Sequence, residues 1–162
     1  MSEERAVAAV EASGIPYAVT RHGRVSSLEE AAAARGVQPR DLVKTLVVRR
    51  AADDYLFVLV PGDREISWPK LRALLGVNRV SMPDAAAALA ATGYERGTIT
   101  PFGSTTAWPV VADASLLEPP GRTISLGGGA HGVGLTVPAA ETLEALDARV
   151  AVVTSVSGAG QP

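Results

Sequence analysis

Apolar residues recur along this chain with two different periods, and the switches between them divide it into elements. From Glu3 to Ser13, alanine and valine return at helical spacing and stop before Gly14, a C-terminal signal. Tyr17 to Arg21 predicts a short strand. A helix follows between Ser27, with Glu30 placed to complete a capping box, and Gly36. Pro39 begins a turn into "DLVKTLVVRR" (Asp41 to Arg50), which reads as a strand, and a second apolar strand, Tyr55 to Val60, follows the hairpin-like turn Ala51 to Asp54. Beyond the Pro61-Gly62-Asp63 turn, Ser67 can cap a helix that has Pro69 near its first turn and runs to Leu75. "NRVSMP" predicts a short strand, Asp84 to Ala91 a small alanine-rich helix, and Thr92 to Thr105 a long loop. Val110 to Ala112 forms a strand ending at Asp113. Thr123 to Leu126 and Val133 to Val137 are strands on either side of "GGGAHG". Pro138 opens a last helix to about Leu146, and Val150 to Val153 is a last strand. Several strands follow one another through tight turns. That pattern predicts an α+β fold with a mixed or largely antiparallel sheet, not a strict βαβ repeat. One domain is expected over residues 1–154, with 155–162 as a flexible tail.

Composition narrows the class. A chain of 162 residues with 47% hydrophobic and 20% charged residues can bury a real core as one domain. Net charge −2 argues against wholesale coating of nucleic acid, DNA included, but leaves room for a local basic patch. The N-terminus carries acids and no apolar h-region, and no apolar run approaches the ~20 residues a membrane span needs. The expectation is a cytoplasmic protein with no membrane partner. The absence of cysteine removes thiolate catalysis, disulfides and Cys-ligated zinc. His22 and His131 stand in no metal-binding pattern, there is no G-x-S-x-G elbow, and "GGGAHG" lacks the lysine of a phosphate-binding P-loop. Neither a metal nor a cofactor is expected.

Three features remain as candidate chemistry. The first is Lys44, at the entrance to a strand. Of 15 Lys+Arg only Lys44 and Lys70 are lysine. A compact ammonium at this position can hold a phosphate or a developing oxyanion. Equally, its stem can cover apolar surface while its head reaches water. The second is "GTITPFG", Gly97 to Gly103: a loop with a turn, or a wall whose backbone faces a ligand. The third is "LGGGAHGVGL", Leu126 to Leu135: a flexible hairpin, or glycines that let backbone N–H groups converge on an anion or carbonyl. Arginines 21, 24, 49 and 50 form either a phosphate-gripping patch or solvated strand-end charges.

Taken in order, these elements resemble the YbaK/ProX family of aminoacyl-transfer-RNA deacylases, which is related to the editing domain of bacterial prolyl-tRNA synthetase. The resemblance is carried by "VKTLVV" with G-x-x-x-PFG, together with His22, "LVP", Lys70, Asp113 and the glycine-rich hairpin, and it runs from about Ile15 to Val153. It implies a mixed, barrel-like sheet with flanking helices and a crevice above it. It also implies trans-editing hydrolysis of mischarged tRNA, of tRNA(Pro) type, by a positioned water. The family's key lysine falls on Lys44 and its Gly-x-x-x-Pro loop on Gly97 and Pro101, followed by Phe102 and Gly103. The hairpin that lines the aminoacyl pocket falls on Gly127, Gly128 and Gly129. His22 is either a structural histidine beside a turn or a contact to the acceptor end. Thr98 departs from the commonest loop pattern, in which a second glycine follows the first. The implied partners are the aminoacyl-tRNA acceptor end and, for docking, an aminoacyl-tRNA synthetase. The competing expectation is a non-catalytic module on the same fold that binds an RNA end, a nucleotide or a protein.

Overall fold

The largely apolar run after Asp41 becomes the strand on which the rest of the molecule is assembled. The computed structural model describes residues 2–156. Strand β2 (Val43–Ala51) turns back through a tight hairpin into β3 (Asp54–Pro61), and the pair is antiparallel. β3 then pairs in parallel with β5 (Val110–Asp113), and β5 in parallel with β8 (Arg149–Ala151), giving a mixed sheet in the order β2-β3-β5-β8. A second, antiparallel sheet has the order β1-β7-β6, from β1 (Ala18–Arg21), β7 (Val133–Pro138) and β6 (Thr123–Gly127). Two short strands, β4 (Arg64–Ile66) and β9 (Thr154–Val156), make a third.

The near-continuous apolar run of β3 follows from its position, since it is buried on both faces. Phe57 and Leu59 face a core shared with Ile124, Leu126, Leu135 and Val137 of the second sheet and Val10 of helix α1 (Ser2–Ala12). Leu56, Val58 and Val60 face a second core with Leu71 of helix α3 (Trp68–Leu75), Val111 and Val153. Three further helices flank the sheets: α2 (Leu28–Ala34), α4 (Ala85–Thr92) and α5 (Ala139–Ala145). The side chains of Ser27, Ser67 and Asp84 cap α2, α3 and α4, each accepting a backbone N–H, and Gly76 and Gly93 end α3 and α4 in the left-handed conformation.

Several expectations change. The strands form three sheets and, among the described residues, no closed barrel; the three- and four-stranded sheets touch through an isolated parallel bridge, Leu42 to Ser125. The capping box at α2 is half made, because the Glu30 carboxylate accepts from the N–H and hydroxyl of Ser26 and not from the Ser27 N–H. The single strand expected over Val150 to Val153 ends at Ala151, and Val152 and Val153 lie between strands. The Val153 N–H goes to Asp113 Oδ1 (3.0 Å) and its carbonyl to Ser67 N (2.7 Å), so the chain leaves the sheet before β9. Ser155 and Val156, expected in a loose tail, therefore belong to a strand, and 157–162 lie outside the described residues. "NRVSMP" reduces to one bridge, Ser81 to Arg49.

Candidate functional site

β2 is an edge strand, and its free side is the floor of a cleft of about 360 Å³. Which backbone groups face the cleft follows from the ladder. In an antiparallel pair, residues alternate between exchanging both hydrogen bonds with the partner and pointing both away from it. Arg49 points away, since its N–H and carbonyl bond Ser81 at 2.7 and 3.0 Å. Phe57, opposite Val47, sends its N–H to Pro109 O at 2.8 Å, and Pro61, opposite Val43, has no N–H to give. All three facts set the same phase. The N–H and C=O groups of Val43, Thr45 and Val47 face the free edge, and all three residues line the cleft.

The opposite wall comes from the two glycine loops, and Met82, Pro83 and Ala88 close one side. Gly97 lines the cleft with φ 91°, a conformation that side chains resist. A Cβ on Gly127 would sit 2.8 Å from the Ile99 carbonyl, so glycine there lets the hairpin press against the Gly97 loop. The lining is mostly apolar, yet it holds three cations, Arg35, Lys44 and Arg96, and no carboxylate.

Lys44 shares a face of β2 with Leu46 and Val48, and its Nζ donates to Arg64 O at 2.7 Å. One of its three N–H donors is thus used within the described residues, and the head group is held back against β4. Burial pushes the ammonium below the usual lysine range, against an opposing pull from Glu65 and Asp63. The carbonyl that receives Lys44 is itself braced. Arg64 Nε donates to Thr154 Oγ1 and lies 3.7 Å from Asp113 Oδ2. Burial pushes the Asp113 carboxyl up, but hydrogen bonds from Ser115, Val153 and Thr154 outweigh it and hold the group below the ordinary carboxylate range. Lys70 Nζ bonds Thr154 O at 3.0 Å, so the chain's second lysine ties α3 to β9.

The structure brings Lys44, Gly97 and Gly127 together at one cleft and places the other sequence candidates elsewhere. Phe102 is a core residue whose carbonyl accepts from the Tyr94 hydroxyl at 2.6 Å. A Cβ on Gly103 would meet the Arg5 carbonyl at 2.5 Å, and Arg5 donates to Gly103 O and Gly93 O. Phe102 and Gly103 dock the loop on α1, and neither they nor the half-buried Pro101 line the cleft. Gly128 N–H bonds Val133 O within the hairpin and Gly129 N–H bonds Thr98 O of the Gly97 loop, so both donors are used within the protein. Thr98 is buried and its hydroxyl bonds Glu95 O at 2.7 Å, which turns the side chain away from the cleft. His22 lines a separate hollow of about 620 Å³ with Arg24 and His131. The four arginines do not make one patch: Arg21 pairs with Glu3, Arg24 borders the His22 hollow, and Arg49 and Arg50, the latter paired with Asp54, border another with Arg79. Sequence reasoning missed Arg35. Its position at the end of α2 reads as an exposed helix-end cation, and nothing local announces that it is half buried.

The aminoacyl-tRNA editing domain family matches residues 22–145. The proline–tRNA ligase of Syntrophotalea carbinolica is 40% identical over 87 residues, which are 50% of this chain and 15% of that protein. The proline–tRNA ligase of Thermosipho africanus is 36% identical over 80 residues, 49% of this chain and 14% of that protein. This chain therefore spans about a seventh of the curated relatives' length. Among solved structures, a hypothetical protein superposes with TM-score 0.80 at 28% identity, covering 90% of this chain and 96% of that one. A candidate trans-editing enzyme for prolyl-tRNA synthetase superposes with TM-score 0.84 at 24% identity, covering 95% and 97%, a likeness of fold.

Proposed function

Because the chain belongs to the aminoacyl-tRNA editing domain family, we propose that it hydrolyses the ester joining a wrong amino acid to transfer RNA, acting in trans on substrates of tRNA(Pro) type. The observation that carries this reading is the cleft itself: an apolar floor and walls, an unpaired strand edge, and three cations with no acid. Such a lining suits a small aminoacyl group attached to a phosphate-bearing end. Its volume, about 360 Å³, is at the small end of ligand sites and favours a short side chain over a bulky one.

An aminoacyl ester is already activated, so positioning and charge stabilisation suffice for catalysis. The strand edge offers carbonyls to the substrate's α-ammonium and N–H groups to its ester carbonyl. Lys44, with two donors left, supplies the fixed positive charge for the oxyanion that forms as water adds. A neighbouring ribose hydroxyl of the substrate relays the proton, accepting one from the water and passing its own to the departing ribose oxygen. The ester C–O bond then breaks, releasing the amino acid and a tRNA with a free terminal hydroxyl. Apart from the attacking water, every partner in this scheme is either a protein group or part of the substrate.

The test is a panel of mischarged transfer RNAs, alanyl- and cysteinyl-tRNA(Pro) first, incubated with the purified protein. Release of amino acid above the spontaneous rate is the expected result. Binding of the acceptor end without release would replace the enzyme by a binding module on the same fold.

A further inference from the structure

Arg35 is a half-buried guanidinium facing the cleft, and among the described residues it has no carboxylate partner. Removing such a charge from water without an opposite charge is costly, and burial lowers its pKa accordingly. The fold nevertheless builds a seat for it. The stem runs across Gly134 of β7, where a Cβ would come within 2.7 Å of Arg35 Cδ and 2.8 Å of Nε. Nη1 donates to Ser125 Oγ (3.4 Å) and Leu126 O (3.3 Å), both on β6. Nε points at His22 Nε2 (3.4 Å), while His22 Nδ1 lies 2.9 Å from Gly23 O. With its proton on Nδ1, His22 accepts from Arg35, so the histidine steadies the guanidinium without entering the cleft. These are long contacts to neutral groups. They orient the fork, leave its charge uncompensated, and leave Nη2 with no protein acceptor among the described residues.

We propose that Arg35 is an anion-binding residue of the cleft that takes a phosphate oxygen of the substrate's terminal nucleotides through Nη2. The proposal rests on the reading of the cleft as a tRNA-end site. Arginine is suited to the task because its planar fork can keep its β6 anchors while presenting the remaining N–H groups to a phosphate. Lys44, held by the Arg64 carbonyl of β4, is then left to act at the ester. The two cations divide the substrate between them, one at the phosphate and one at the carbonyl.

Adenosine 5′-monophosphate and adenosine are the probes, since they differ by the phosphate alone. At low salt the wild-type protein is expected to bind the monophosphate about tenfold more tightly than the nucleoside. Arg35→Gln should abolish that preference and leave adenosine binding unchanged. Gly134→Ala, which displaces the arginine stem while keeping its charge, should do the same and covers the case in which Arg35→Gln does not fold. Thermal melting confirms which variants are folded. A wild-type protein with no preference for the monophosphate overturns the proposal, and so does an unchanged preference in either folded variant. Deacylation is read in parallel. If the preference behaves as expected but no mischarged tRNA is hydrolysed, Arg35 keeps its role and the deacylase reading falls. If hydrolysis is seen and Arg35→Gln leaves its KM unaltered, the deacylase reading stands and Arg35 does not bind substrate.

Discussion

Lys44 combines two requirements that conflict in water, a full positive charge and a fixed position. The Arg64 carbonyl supplies the second by taking one N–H at 2.7 Å, and partial burial makes the remaining charge act over a shorter, less screened distance. Lys44→Ala should lower kcat by about 10²–10³, the cost of removing one oxyanion donor. The same change loses one hydrogen bond of about 1 kcal/mol and should shift the melting temperature by only a few degrees. Lys44→Arg should recover little activity, because a planar fork does not occupy the space of a compact ammonium. Burial lowers the lysine's pKa, and only the protonated form is useful. The rate should therefore hold at neutral pH and fall as pH rises through that lowered value, earlier than for an exposed lysine. A pH–rate profile on one mischarged tRNA, corrected for spontaneous ester hydrolysis, checks this. A corrected rate that keeps climbing well beyond the usual lysine range would remove Lys44 from the chemistry.

At the scale of elements, the functional feature is an unpaired strand edge inside a cleft. Exposed edges invite pairing with other chains, and proteins usually blunt them. Here the edge is closed at both ends, by the bridge from Leu42 to Ser125 and by the bridge from Arg49 to Ser81, and stays open between them. Amide exchange should show this directly. The N–H groups of Thr45 and Val47 should exchange faster than those of Lys44, Leu46 and Val48, which face β3. Binding a non-hydrolysable aminoacyl-adenosine should protect the first two selectively. Uniform protection along β2 in the free protein would mean that the edge is already occupied. The strand itself was legible in the sequence, because a β-branched, apolar run such as "TLVV" bounded by turn residues is a local property. Its place at the edge was not, since that depends on β5 docking against β3 from over fifty residues away. The glycine loops were legible as special but not for the right reason in every case. Gly97 and Gly127 do form the cleft wall, whereas Gly103 and Gly129 are glycines because Arg5 and Ser2 of α1 press against them. Arg35 was illegible because its seat is made by residues about ninety positions away.

For the whole molecule, Asp113 is where stability and function meet. It is buried at the end of β5, at the parallel junction of β3, β5 and β8. Its two oxygens accept from Val153 N–H, Ser115 N–H and the Ser115 hydroxyl, and Arg64 lies alongside. One carboxylate thereby fixes the turn between β8 and β9 and, through Arg64, the β4 backbone on which Lys44 rests. Asp113→Asn keeps the shape but sets an amide donor against a backbone N–H, leaving one buried donor unmet. The expected cost is about 3 kcal/mol in urea unfolding, together with a fall in kcat smaller than that of Lys44→Ala. The pH dependence follows from the depressed carboxyl. Unfolded, Asp113 titrates at about 3.9, and folded it titrates lower. Its stabilisation is therefore complete above the unfolded value and is lost as pH falls through the folded one. The stability gap between wild type and Asp113→Asn should be constant near neutrality and narrow in acid. A gap of the same size at neutral pH and well below pH ~3 would show that the aspartate acts by shape alone, and that the ionised carboxylate is not what holds the platform under Lys44.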